Sequence, residues 1–298
     1  MQTAITILLD GLVFSSYLFI VSVGLTVIFG VMKILNVTHG SFYAWGAYAA
    51  AFLIGVAFDA GWPDWLGFVA IFAAAIAVGL VLGLILERGI LRFMYHRDEV
   101  LIVLATFGTF LVLEDVILLV FGVDPYFAYQ PMMLLGASEI GGVSRDNYSL
   151  SLIALALVVA LVCWLGLVKT RWGKILRAVI FDREMAESMG INVTMVYIVT
   201  FVIGAMLGAL GGAYISPTVS VAPGFGIDVI VLSFAVVVIG GMGSIPGAII
   251  GALAVGLSRA LAVHEAPQLE LFVIYAVMAV VLVFRPEGLF APAKPRKI

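Results

Sequence analysis

Three groups of residues in this chain carry side chains able to do chemistry within otherwise apolar sequence. The first is Glu114-Asp115, adjacent carboxylates inside the run of residues 100–123. Ionisable groups deep in such a run are costly, which marks them as functional candidates. A carboxylate there can read a substrate ammonium, face a watery vestibule, or pair with His39 or Arg145. The second group is Asn36-Val37-Thr38-His39-Gly40-Ser41, at the entry to another apolar run. His39 can meet a substrate carboxylate, gate a cavity, or be a satisfied hydrogen-bonding residue. Asn36 and Ser41 suit both a helix cap and contact with a solute. The third is the polar stretch 170–192, TRWGKILRAVIFDREMAESMGIN. In it Glu184, Ala186 and Gly190 have the spacing Glu-x-Ala-x-x-x-Gly.

Other chemistries lack their residues. His39 and Ser41 are too close in sequence for an evident dyad, and no Gly-x-Ser-x-Gly occurs. An aspartyl mechanism needs two carboxylates from facing helices, whereas Glu114 and Asp115 are neighbours. The three histidines and the single cysteine, Cys163, show no metal-ligand spacing. Cys163 reads as a packing residue, and no disulfide can form within the chain. No Gly-x-x-x-x-Gly-Lys-Ser/Thr is present, so the chain is not expected to hydrolyse ATP. It is expected to be no enzyme, to hold no cofactor or metal, and to bind no nucleic acid.

The elements that hold these residues are membrane spans. Of 298 residues, 64% are apolar and only 11% charged, and the mean hydropathy is +1.22. Soluble domains carry about 25% charged residues. A water-facing surface cannot be built from this inventory, so the solvent is the lipid bilayer. A crossing helix needs about 20 apolar residues. Runs 11–32, 65–86, 149–168 and 193–215 qualify, 40–58 is slightly shorter, and 100–123 carries the two carboxylates. Run 271–284 is short and extends into its flanks. The first run has no positive n-region before it and reads as a retained helix. Asp10 beside it reads as interfacial.

Residues 229–258 are uncharged for 30 positions. As one helix they would span about 45 Å, too long for one simple crossing. Gly240-Gly241-Met242-Gly243-Ser244-Ile245-Pro246-Gly247 is the natural break, since Gly permits unusual backbone angles and Pro opens helices. A broken helix points to a transport pathway, which makes Gly241, Gly243 and Ser244 pathway candidates; a loop at the cytoplasmic surface is the alternative. The expected fold is an all-α polytopic bundle of about eight membrane segments, one broken or re-entrant, in a single domain over 1–298. Stripes of small residues (Gly204, Gly208, Gly212; Gly79, Gly83; Gly247, Gly251) read as helix-packing faces. Ser22, Ile28, Gly30 and Gly40 recur at constant offset as Ser233, Ile239, Gly241 and Gly251, an approximate internal echo.

Basic residues orient the spans. Lys33; Arg88, Arg92 and Arg97; Lys169, Arg171, Lys174, Arg177 and Arg183; and Arg285, Lys294, Arg296 and Lys297 make 13 of the 15 Lys and Arg. With all four groups in the cytoplasm, span parity puts the N-terminus outside and the C-terminus inside. Only Arg145 and Arg259 fall elsewhere.

Together, Asn36 to Ser41 with Gly46-Ala47-Tyr48, the Gly240–Gly247 run, the Glu184–Gly190 spacing and Arg285-Pro286-Glu287-Gly288-Leu289-Phe290 carry a resemblance. The chain resembles the branched-chain amino acid ABC permease family, the LivH/LivM type, from about residue 12 to 290. Its Asn-x-x-His-Gly version looks more like the LivH member. The resemblance implies an importer of the bacterial inner membrane. Two similar permeases would form the pathway, two cytoplasmic ATPases would bind the ATP, and a periplasmic binding protein would deliver substrate. It also implies that the loop 169–192 couples to the ATPases, with Arg177, Glu184, Ala186 and Gly190 at the contact. Amide residues are common in that family near Glu114 and Asp115, so this pair is a departure. The rival reading from composition and broken segments is a channel or ion-coupled secondary transporter for small polar solutes.

The segregation of Lys and Arg generates a topology test. Loops 87–99 and 169–192 are expected in the cytoplasm and 124–148 outside. In a Cys163→Ser background, Lys174→Cys should resist an impermeant thiol reagent added to intact cells and react once the cells are opened. Labelling from outside would overturn the orientation.

Overall fold

A computed structural model of the chain describes residues 2–95 and 97–290. Lys294, Arg296 and Lys297, used in the orientation argument, lie outside the described residues. Twelve α-helices form among the described residues: α1 (Gln2–Met32), α2 (His39–Asp59), α3 (Leu66–Gly89), α4 (Glu99–Phe121), α5 (Gln130–Leu135), α6 (Asn147–Lys169), α7 (Arg171–Phe181), α8 (Arg183–Ser188), α9 (Val193–Ile215), α10 (Phe225–Gly240), α11 (Ile245–Glu265) and α12 (Glu270–Phe284). Short 3-10 turns follow α3 and precede α12. Eight segments are long and apolar enough to cross a membrane: α1, α2, α3 and α4, then α6, α9, α11 and α12. The shorter α10 adds a 16-residue, largely apolar helix. The all-α polytopic bundle expected from composition is the fold observed.

The 30-residue run does turn back. α10 ends at Gly240 and α11 starts at Ile245. The two helices then pack side by side, Gly247 on the Gly240 carbonyl and Gly251 on that of Val236. α1 begins nine residues before the expected span. Asp10, which ended the apolar run in sequence, is ion-paired with Arg145 at 2.7 Å and lies within hydrogen-bond distance of His264 Nε2 at 3.0 Å. The helix therefore passes through it.

A hairpin of β1 (Ala137–Ile140) and β2 (Val143–Asp146) sits over the start of α1. Its two-residue turn, Gly141-Gly142, has φ of 61° and 80°. Two consecutive positive φ values are the demand of the tight hairpin turn, and Gly-Gly meets it without strain.

α9 is the centre of the bundle, packed by α1, α2 and α3. Its small residues are the contact. Gly204 lies on Ile28 and the Gly24 carbonyl of α1, Gly208 on the His39 ring, and Gly212 on the Tyr43 carbonyl of α2. From α3, Gly79 abuts Met206 and Gly83 abuts Val202. Lipid offers no hydrophobic drive for helix pairing, so close backbone packing is what holds such helices. The outer helices do little of this: 72% of the α1 segment is buried inside the chain, against 6% of α12.

These contacts separate two glycines. Gly212→Leu should cost about 1–3 kcal/mol or more by overpacking. Gly55, mid-α2, has nothing within 4 Å of an added Cβ. Gly55→Ala should be neutral or stabilise by up to about 1 kcal/mol through helix propensity. Thermal unfolding in detergent reads both; equal behaviour of the two variants would contradict the packing described.

Candidate functional site

The chain leaves α1 at Lys33, which has φ of 56°. Burial there pulls the Lys33 ammonium below its usual pKa. Residues 33–38 then fold back, and α2 starts beside the middle of α1. His39 Nε2 lies 2.9 Å from the Val21 carbonyl and donates to it. Val21 is eleven residues before the end of α1, so α2 starts about 16 Å in from that end. The non-helical backbone at this depth is covered by protein, as a bilayer requires. Asn36 closes the turn: its Oδ1 accepts from the Thr38 amide at 3.2 Å and from the Thr38 hydroxyl. It caps this turn, while the residue at the helix cap is Thr38.

His39 is fully buried in a slot between Gly24 and Gly208; a Cβ on either would sit 2.9 Å from the ring. The ring thus anchors the entry of α2. Its Nδ1 and the buried Ser41 hydroxyl have no hydrogen-bond partner among the described residues.

α10 also starts inside the bundle. Gly226 in its first turn and Gly40 in the first turn of α2 approach each other's carbonyls. Glu114 of α4 reaches this meeting point. Its Oε1 lies 2.8 Å from where a Cβ of Gly226 would stand, and the Gly224 backbone amide faces the same carboxyl. Helix N-termini carry partial positive charge. Two of them converge near one carboxylate, which is the electrostatic account of a Glu at this depth. Asp115, one residue on, points to the exposed side of α4. The adjacent carboxylates therefore do different things. Neither pairs with His39 or Arg145, whose partners are Val21 and Asp10.

Gly241, Gly243 and Ser244 are not brought to this group. They form the turn after α10, about 21 Å of helix away from Gly226. Gly241 and Gly243 have φ of 101° and 85°. Gly243 packs on Gly30 near the end of α1, and Ser244 Oγ accepts from the Gly247 amide at 3.1 Å to cap α11. The Leu289 and Phe290 amides donate to the last carbonyls of α10, Ile239 and Gly240, both at 2.9 Å. The break is a turn at the end of the bundle that carries Lys33.

The loop 169–192 holds two helices, each capped by its own side chain. The Thr170 hydroxyl accepts from Gly173 at 3.0 Å and Asp182 accepts from Met185 at 2.9 Å. Arg177 lies on α7, its Nε donating to the Gly173 carbonyl at 3.3 Å, and lines a cavity with Ile245 and Pro246. Ala186 is buried inside the chain, while Glu184 and Glu187 are exposed. Met185 and Met189 are 59% and 76% exposed. Gly190 has open space around its Cβ position and φ of 82°. Its amide bonds Glu187 at 2.9 Å and the Ile191 amide returns to Ala186 at 3.0 Å. Gly190 is required by the backbone conformation that ends α8. The exposed methionines are the surface that sequence reading missed; Met185 and Met189, four residues apart in a short polar stretch after Glu184, were the available signal.

At the opposite end a cavity of about 470 Å³ opens between α1, α2, α10 and α11. Phe14, Tyr17, Tyr43 and Phe225 form its aromatic wall, and Asp10, Asp228, Arg259 and His264 its charged rim. The Arg259 guanidinium lies 3.9 Å over the Phe14 ring and 2.5 Å from Glu270. This cavity was also missed in sequence, although Arg259 stood out as one of two basic residues away from the four clusters.

Residues 7–282 match the family model described as the permease component of branched-chain amino acid transport systems. The chain is 27% identical to the high-affinity branched-chain amino acid transport system permease protein LivH of Salmonella typhimurium, over 97% of this chain and 96% of that one. It is 28% identical to BraD of Pseudomonas aeruginosa, named in the same terms, over 98% and 97%. A shorter match, 36% identical over 39% of this chain and 34% of the relative, is to the fructose import permease protein FrcC of Rhizobium meliloti. The match spans nearly every helix described above, and the chain belongs to the branched-chain amino acid transport system permease family.

Proposed function

We propose that this permease works as one half of a permease pair in an ATP-driven importer of the bacterial inner membrane, carrying branched-chain or related amino acids. Two cytoplasmic ATPases supply the energy through the loop 169–192, and a periplasmic binding protein delivers substrate. The observation that carries the proposal is the full-length family match joined to an exposed, preformed α8. The chain has no nucleotide motif of its own. A short helix with Glu184 and two exposed methionines, held at the end that carries Lys33 and Arg177, suits a protein contact. Exposed Asp115 on α4 supports a watery or protein-covered face there, because a carboxylate against hydrocarbon is costly. The orientation with the N-terminus outside follows from the basic clusters at the α8 end.

Reconstitution of the chain with its permease partner, ATPases and binding protein in proteoliposomes tests the reading. ATP-dependent uptake of leucine, isoleucine or valine is expected. Uptake of fructose alone, or ion-driven uptake without ATP, would overturn it.

Two sets of variants follow. Met185→Ala/Met189→Ala should lower co-purification of the ATPases about tenfold, as loss of central apolar contacts does. Gly190→Val should do the same by straining the turn after α8. Glu184→Ala should cost under about 1 kcal/mol, as exposed charge pairs do. If all three keep the ATPases and normal transport, α8 is not the coupling element. In the bundle, Glu114→Gln should cut uptake about tenfold or more, as loss of a charged hydrogen-bonding group does. Asp115→Asn should have the smaller effect. Normal uptake by the Glu114 variant would end its place in the pathway.

A further inference from the structure

The outer cavity has a charge pattern that packing does not explain. Around it, Asp10 is held by Arg145 and His264, and Arg259 by Glu270. Asp228, exposed in the first turn of α10, has no hydrogen bond or ion pair among the described residues. An unpaired carboxylate in a membrane protein faces water or a cationic ligand, since lipid would penalise it.

Arg259 lines the same cavity. Stacking on Phe14 and the bond to Glu270 fix its plane, and only part of its five N–H donors is used by that bond. Tyr17 lines the same cavity as the two charges. The remaining wall is apolar: Tyr43 stacks on Phe225 with centroids 5.0 Å apart, and Val219 and Val263 complete it. The volume, about 470 Å³, falls among small-molecule pockets, which run about 300–1,000 Å³.

A carboxylate, a guanidinium and an aromatic-aliphatic wall around one such space match a single ligand chemistry. We infer that this cavity is an entry site for a zwitterionic α-amino acid, with Asp228 reading the ammonium, Arg259 the carboxylate, and the Tyr43–Phe225 wall an aliphatic side chain. A neutral sugar would leave the Asp228 carboxylate without a charged partner. The inference rests on the amino-acid importer reading and adds the residues that first meet the substrate inside the membrane domain.

The test uses the complete complex in proteoliposomes, with leucine as the probe. Wild-type uptake is measured first and judges the importer reading alone. Asp228→Asn and Arg259→Gln are then compared with wild type in leucine uptake per ATP hydrolysed. Each is expected to fall at least about tenfold, as loss of a charged hydrogen bond does. Asp228→Glu and Arg259→Lys, which keep the charges, should recover part of it. In parallel, Val219→Cys in a Cys163→Ser background should be labelled by an impermeant thiol reagent and protected by leucine in the working complex. Active wild type with unchanged uptake in both neutral variants overturns the site and leaves the importer standing. A wild type that carries no amino acid overturns the importer reading, and the site with it. Where a neutral variant fails to assemble, the Val219→Cys experiment decides: protection by leucine supports the site and its absence overturns it.

Discussion

The constraint behind this structure is that its helices must touch backbone to backbone. Hydrocarbon solvates apolar side chains as well as another helix does, so cohesion comes from close packing. One face of α9, through Gly204, Gly208 and Gly212, brings α1 and α2 to such contact. The same missing side chains make room for function. Gly208 and Gly24 leave the slot that His39 fills, and that slot is what lets α2 start halfway down α1. Gly40 and Gly226 then bring two helix starts together beside Glu114.

Much of the architecture was legible because a bilayer allows few solutions. Apolar run length located the spans, and the glycine stripes read as packing faces proved to be packing faces. What sequence could not show was depth. Gly241 and Gly243 read as a break whose depth the sequence left open, and they form the turn between α10 and α11. Two further breaks lie before His39 and before Phe225; the first was marked in sequence by Asn36, His39 and Ser41, and the second follows Pro217, Pro223 and Gly224. Pairwise charge was equally hidden. Nothing local says that Asp10 meets Arg145, 135 positions later, and His264, 254 positions later. At Glu114-Asp115 the composition was visible, but the different surroundings of the two carboxylates, one half-buried and one exposed, needed the helix and its neighbours. Ala186 was read as a contact for a partner and is buried within the chain.

The two ends of the bundle are chemically different. One gathers Lys33, Arg177, the turn after α10 and the exposed α8. The other holds Arg145 and Arg259, the two basic residues outside the clusters, and each is matched to a carboxylate. The exceptions to the charge pattern are thereby local ion pairs. Asp10 ties α1 to the hairpin and to α11, and Glu270 ties α12 to α11.

The short α8 is joined to the rest of the molecule at a telling place. Asn192 caps α9 only two residues after Gly190, and the Arg183 guanidinium lies 5.4 Å over the ring of Tyr197 in the first turns of α9. The hydrogen bond from Ile191 to Ala186 closes the joint. A load applied to α8 therefore passes into the axle of the bundle, the helix against which α1, α2 and α3 all bear. The His39 slot bears on that axle through Gly208, so the start of α2 is seated on the same helix that receives the load.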